Sequence, residues 1–286
     1  MKKILVPTDF SKQAGHATDM AARLARQHGA TIHLVHSVDV PATWQEGHFT
    51  SAILAKKPPR EQQALYPEAR AAVGKARHQM DLLVRELEKN KITVSHEIAP
   101  NAAWQDIMRL ADKAKCDLIV MGTHGAGALK EAFIGSNTQR VVRMASQPVL
   151  TLHDAAPAKI ANVAVLTNPL DNGLAKTLNA LLAPLAGMKV KYHLVYVNTP
   201  GLFQDTDNAL EQLRTLAKKL EPEFKLHVCD HYTVAEGAVA FARREGMDLI
   251  AMPTHGRKGL KGMLNASIAE TVANHSPVPV LTMRVY

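Results

Sequence analysis

Apolar positions along the chain follow two alternating rhythms. Ile4 to Val6 is a short apolar run closed by Pro7, Thr8 and Asp9, whereas from Ala14 to His28 the positions Ala17, Met20, Ala21, Leu24 and Ala25 recur every three or four residues before Gly29. The first pattern predicts a strand and the second a helix that stops at a glycine. The alternation continues with a strand over Thr31 to Val38, a helix over Ala72 to Lys89, a strand over Ile92 to Ile98 and a helix over Ala103 to Lys115. A buried strand over Leu118 to Met121, a helix over Asn137 to Met144 and a strand over Pro148 to Leu152 complete the set. Five strands separated by four helices predict a mostly parallel sheet covered on both faces, because each parallel crossover carries its helix back over the sheet.

The chain then repeats itself. The run from Asp117 to Gly125 recurs from Asp248 to Gly256 at a shift of 131, and the register holds from Ser136 and Ser267 through Pro148 to Thr151 and Pro279 to Thr282. Nearer the start of each half, Ile4 to Asp9 faces Val163 to Asn168 at 159, and His33 to Val35 faces His193 to Val195 at 160. A repeat of this length sets the architecture before any local reading does. The expected fold class is α/β, as two tandem doubly wound domains, each a five-stranded mostly parallel sheet with helices on both faces. Residues 1–153 form the first expected domain and 154–286 the second, joined near His153 to Lys159. The first half carries about 28 extra residues near Pro41 to Gly74, including Trp44, Pro58 and Tyr66. This is expected to be a loop or partly helical excursion over a site or a partner.

Composition narrows the class. The 286 residues are 47% apolar and 21% charged, which excludes a disordered chain. No apolar run approaches the roughly 18 residues of a membrane span, and Met1 to Lys3 is not followed by the apolar stretch of a signal peptide. Two cysteines, Cys116 and Cys229, are too few for a disulfide framework, so a reducing cytoplasm is the expected location. The net charge of +8 is uneven, with 20 basic against 14 acidic residues up to His153 and 14 against 12 after it. With aromatics at 5% there is no stacking platform, and nucleic acid is not the expected partner.

Ligands of open parallel sheets bind beyond the carboxyl ends of the strands. Two segments with unusual residues fall there. Pro7, Thr8, Asp9, Phe10 and Ser11 follow the first strand; Asp9 or Ser11 can cap the next helix, and a carboxylate there can also accept from a ribose or a base edge. Gly122, Thr123, His124 and Gly125 follow the fourth strand, which ends at Met121, and Gly135, Ser136 and Asn137 open a helix. Glycines admit a close approach of backbone to a polyphosphate, and a helix start offers unpaired amides to an anion. In the competing reading these glycines only turn the chain and Ser136 only caps. Neither a dinucleotide fingerprint nor a Gly-Lys-Ser/Thr loop occurs. His124 and His255 are matched, as are His96 and His227, but no second ligand lies at short spacing, so no metal site is predicted.

Pro7 to Ser11, followed by Gly122-x-x-Gly125, nine residues and Gly135-Ser136, resembles the ATP-binding pattern of the universal stress protein family. The resemblance covers nearly the whole chain as two fused domains. It implies ATP, with or without Mg²⁺, in the first domain. Asp9 would lie near adenine and ribose, Ser37 near the base, and Gly122, Thr123, Gly125, Gly135, Ser136 and Asn137 around ribose and phosphates. Pro7, Thr8, Met121 and His124 complete the expected lining. It further implies a part in the stress response through an unidentified protein partner. The last strands, Pro148 to Leu152 and Pro279 to Met283, would join the halves as an intramolecular pseudo-dimer, with further dimerisation left open.

The second half departs from the pattern. Asp9 becomes Asn168, Gly122 becomes Pro253 and Gly135 becomes Ala266. Proline lacks an amide donor, and alanine puts a methyl where a phosphate would lie. The expectation is that the first half binds ATP and the second does not, or takes a different ligand. Only Asp9 and Glu131 supply carboxylates near the glycines, which favours a nucleotide-dependent binding or regulatory protein. A slow ATPase or autophosphorylating enzyme, and a scaffold without nucleotide, are the alternatives.

Overall fold

The computed structural model describes residues 1–40, 67–123, 135–168, 173–255 and 262–285. In chain order the strands are β1 (Lys3–Pro7), β2 (Thr31–Val38), β3 (Val94–Pro100), β4 (Leu118–Gly122), β5 (Val149–Leu152), β6 (Asn162–Leu166), β7 (Lys191–Asn198), β8 (Phe224–Asp230), β9 (Leu249–His255) and β10 (Val280–Val285). The helices are α1 (Lys12–His28), α2 (Pro67–Lys89), α3 (Trp104–Lys113), α4 (Ser136–Met144), α5 (Leu174–Leu182), α6 (Thr206–Ala217), α7 (Val234–Arg244) and α8 (Gly262–His275).

The strands form one sheet in the order β3-β2-β1-β4-β5-β10-β9-β6-β7-β8. This corrects the expectation of a separate five-stranded sheet in each half. Strand order within each half is the same, but β5 and β10 pair antiparallel, Thr151 opposite Val280, Leu150 opposite Leu281 and Val149 opposite Thr282. An unpaired edge strand leaves a row of amides and carbonyls open, and here each half covers the other's edge. Leu150 and Leu281 are equivalent residues of the repeat, so a local two-fold axis passes between them. The flanking hydroxyls obey it: Thr151 Oγ1 donates to Val280 O at 3.2 Å, and Thr282 Oγ1 to Val149 O at 3.3 Å.

Alternation along the strands divides the core into two layers. Ile4, Val6, Leu118 and Val120 pack under α1 and α2, with α5 and α6 continuing that face in the second half. Leu5, Ile119 and Met121 pack under α3 and α4, with α7 and α8 beyond. Ser11 caps α1 by accepting from Ala14 N at 3.2 Å, and Gly29 ends it at φ 62°, where a side chain would be strained. The repeated Asp117 and Asp248 serve the fold. Asp117 Oδ2 accepts from Lys3 N at 2.9 Å, and Asp248 Oδ2 from Asn162 N at 2.8 Å, tying the start of the fourth strand in each half to that of the first.

Most boundaries fall within two residues of those predicted. The excursion expected over 41–74 is helical from Pro67 onward, and its remainder lies outside the described residues. β3 starts at Val94 rather than Ile92, because Lys91 turns the chain at φ 59° and Ile92 N still bonds back to Leu87 O. The helix that the sequence pattern predicts over Ile268 to His275 is α8, which starts six residues earlier, at Gly262.

One contact across the local axis is not symmetric. Glu270 on α8 is nearly buried and accepts from Gln139 Nε2 and from both Arg143 Nε, at 2.9 Å, and an Arg143 terminal nitrogen. The equivalents of Glu270 and Arg143 are Gln139 and Asn274, so the pairing exists only between unlike halves. Removing one partner of a largely desolvated pair strands the other. Glu270→Met and Arg143→Met should each lower stability by about 1–3 kcal/mol in urea unfolding, and the double variant should recover most of that loss.

Candidate functional site

The carboxyl ends of β1, β2 and β4 and the start of α4 enclose a cleft of about 490 Å³. Pro7, Thr8 and Asp9 form one wall, Ser37 another, and Met121, Gly122, Gly135, Ser136 and Asn137 the floor and far side. Nine of the residues singled out from the sequence are thus brought together. Thr123 lies just behind them, buried, its amide donating to Leu152 O at 2.9 Å and its hydroxyl 3.2 Å from His153 Nδ1. His124 and Gly125 lie outside the described residues.

The turn after β1 is held tightly. Thr8 N donates to Val35 O at 2.8 Å, Phe10 N to Thr8 Oγ1 at 3.1 Å and Ser11 N to Asp9 Oδ1 at 3.0 Å. Ser11 therefore takes the cap, and Asp9 stands at the cleft with its carboxylate oriented by the turn. Phe10 adopts φ 61°, a costly conformation for a bulky residue, and its ring meets that of His36 at 4.4 Å. His36 Nδ1 lies 2.7 Å from Thr8 O, bracing β2 against the turn.

Gly122 is needed for a close approach. A Cβ there would lie 3.0 Å from the backbone carbon and the Cβ of Gln13, inside the first turn of α1. Its carbonyl accepts from Thr138 Oγ1 at 3.0 Å, and Gly135 N donates to Thr123 O at 2.7 Å, so the start of α4 is fastened to the end of β4. Gly135 occupies the position before α4 and has no side chain to cap it. The first amides of α4, with the positive end of its dipole, thus open at the cleft where an anion is favoured. Val35, His36, Ala102, Ile107 and Thr138 also line the cleft, and sequence reasoning missed them. For His36 the available signal was adjacency to Ser37 at the end of β2; for Thr138 it was the third position after Gly135.

The equivalent cleft at β6, β7 and β9 is about 120 Å³, lined by Asn168, Val197, Pro253 and Ile268 where the first has Asp9, Ser37, Gly122 and Asn137. α8 runs through the position equivalent to Gly135, so its free amides lie more than a turn away from the place where those of α4 open.

Outside the clefts, His193 Nδ1 and His227 Nε2 lie 3.0 Å apart with stacked rings, and His227 packs edge-on to Phe241. Among the described residues no group of three or more His, Cys, Asp or Glu is placed to hold a metal. Burial lowers the pKa of both rings, to which His193 adds for His227, and burial also lowers that of His33. Burial pushes the Cys116 and Cys229 thiols up to about 11, away from reactivity. Among the described residues no helix is long and apolar enough to cross a membrane.

The pattern of the universal stress protein family matches residues 1–153 and again 171–284, and the chain belongs to that family as two tandem domains. A universal stress protein of Mycolicibacterium smegmatis is 27% identical over 98% of this chain and 96% of its own length. One from Thermus aquaticus is 35% identical over 52% of this chain and 96% of its own. Among solved structures, a universal stress protein from Archaeoglobus fulgidus superposes with a TM-score of 0.73 at 17% identity, covering 99% of this chain and 98% of that one, a likeness of fold.

Two outcomes follow from this geometry. Gly122→Ala should cost about 1–3 kcal/mol, read as a lowered thermal midpoint, because the added methyl forces α1 away from β4. The lowered histidine values mean that the unfolded chain binds more protons than the folded one between those values and the ordinary 6.5. Stability should therefore rise with pH through that window, and His193→Gln/His227→Gln should flatten the slope in urea titrations.

Proposed function

We propose that the first domain of this universal stress protein binds ATP in the cleft at the carboxyl edge of β1, β2 and β4, and that occupancy governs its contact with a protein partner in the stress response. The observation that carries the reading is the start of α4, opened by Gly135 without a side-chain cap, facing the same cleft as Asp9 and Ser37. The residues present suit an adenine nucleotide. A carboxylate and a strand-end hydroxyl suit ribose and base, Ile107 and Met121 give an apolar surface for a ring, and helix amides suit phosphate. The volume, about 490 Å³, lies in the range of small-molecule sites. Among the described residues the cleft lining contains no Lys or Arg, so amides and hydroxyls would carry the phosphate contacts. Mg²⁺, where it accompanies the nucleotide, would bring charge compensation. The chain's own part is to orient the nucleotide and to close backbone around it.

The same features support binding in preference to turnover. Asp9 is the only carboxylate in the described lining, and its Oδ1 already accepts from Ser11 N. Calorimetric titration tests the reading. Asp9→Ala and Gly135→Ala should each weaken ATP by roughly tenfold, the loss of one good hydrogen bond or the blocking of one anion contact. Asn168→Ala, at the equivalent place in the second half, should leave ATP affinity unchanged. Wild-type protein that takes up no ATP would contradict the proposal. Sustained ADP release that Gly135→Ala abolishes would move the assignment to a slow ATPase.

A further inference from the structure

We propose that the second domain has turned the equivalent cleft into a separate site for a small neutral aromatic molecule bearing one hydrogen-bonding group. Three observations lead there. The first is the exchange of lining chemistry. Where the first cleft has Asp9, Ser37 and Asn137, the second has Asn168, Val197 and Ile268, and Met252 and Pro253 close its floor. No charged side chain is present in the described lining, and the space of about 120 Å³ approaches that of a cavity known to hold benzene. A triphosphate does not suit such walls, whereas a single ring does.

The second observation is a stranded hydroxyl. Thr167 lies on the cleft wall, about nine-tenths buried, and its Oγ1 has no hydrogen-bond partner among the described residues. Its equivalent Thr8 accepts from Phe10 N. A buried hydroxyl without a partner is unfavourable, and rotation about χ1 turns it to a ligand that can donate or accept.

The third is the rim. Leu202, Phe203 and Tyr232, which follow β7 and β8 at this edge, are 57%, 73% and 85% exposed, three of the four exposed large apolar side chains among the described residues. Leu202 and Phe203 are not loosely placed. Asn198 Nδ2 donates to Gln204 O and Asn198 Oδ1 accepts from Gln204 N, both at 3.0 Å, while Tyr196 OH donates to Leu202 O at 2.7 Å. The segment after β7 is thus clamped with Leu202 on the cleft lining and Phe203 exposed beside it in the chain, an apolar surface next to the site.

Phenol and toluene, titrated into the full chain labelled at Met, Ile, Leu and Val methyls, test the proposal by NMR. Both should shift Met252, Ile268 and Val195, with Kd on the order of 1 mM for ligands this small. Thr167→Val should weaken phenol roughly fivefold, the worth of one hydrogen bond, and leave toluene unchanged. Val234→Trp, which fills the cleft from its half-buried wall, should abolish both. ATP affinity, reporting on the first domain, should not change in either variant. The proposal is overturned if neither compound shifts these methyls at about ten times that Kd, if binding survives Val234→Trp, or if Thr167→Val weakens both compounds equally. Loss of ATP binding with phenol binding intact would instead sink the nucleotide reading alone.

Discussion

The antiparallel pairing of β5 with β10 is the constraint on which the rest of the molecule depends. Each half by itself ends in an edge strand, Val149 to Leu152 or Val280 to Val285, paired on one side only, and the outward-facing amides and carbonyls of an apolar edge strand are an invitation to association. Pairing around Leu150 and Leu281 covers the two edges over Val149–Thr151 and Val280–Thr282 and makes one sheet of ten strands. It also reverses the strand direction at the seam. Because ligands sit at carboxyl ends, the two clefts open at opposite edges of the sheet and share no wall. A change in one need not disturb the other.

That separation explains what the repeat kept and what it lost. Residues that set strand register persist in both halves: Asp117 and Asp248 tie the fourth strand to the first, and Thr151 and Thr282 cross the seam. Several residues that face a cleft have diverged, among them Asp9, Ser37, Gly122 and Asn137, whose equivalents are Asn168, Val197, Pro253 and Ile268. Pro253 pairs with Met283 within the sheet without losing the strand, yet it lacks the amide, and the bare backbone, with which Gly122 lets α1 approach β4 closely. The early start of α8 moves its free amides off the cleft. The seam too has become specific, since Glu270 finds Arg143 only across unlike halves. A symmetric duplication has thereby become a matched pair.

Much of this was legible in the sequence, for identifiable reasons. Strands such as β4 and β9 are continuous apolar runs bounded by Asp and Gly or Thr, and the repeat counts each of them twice. The cleft could be located because Asp9, Gly122 and Gly135 fall at strand ends and at a helix start, where only a few roles exist for such residues. Other features depend on three-dimensional neighbours and leave no local trace. Which of Asp9 and Ser11 would cap α1 was settled by the left-handed turn at Phe10. His36 reaches the site through a contact with Thr8 far away in sequence. The stranded hydroxyl of Thr167 is visible only once its neighbours are known. The start of α8 was predicted too late because Ile268 is the repeat equivalent of Asn137, and the two helices do not begin at equivalent positions.

The central claim is that the two halves of one fold hold different chemistry, with a nucleotide in the first alone. Met121 and Met252 occupy equivalent places on the floors of the two clefts, which makes their methyl groups matched reporters. In a methionine-methyl NMR titration with ATP, the account predicts that Met121 shifts and saturates while Met252 stays in place. A shift of Met252 in step with Met121, or of Met252 alone, would contradict it.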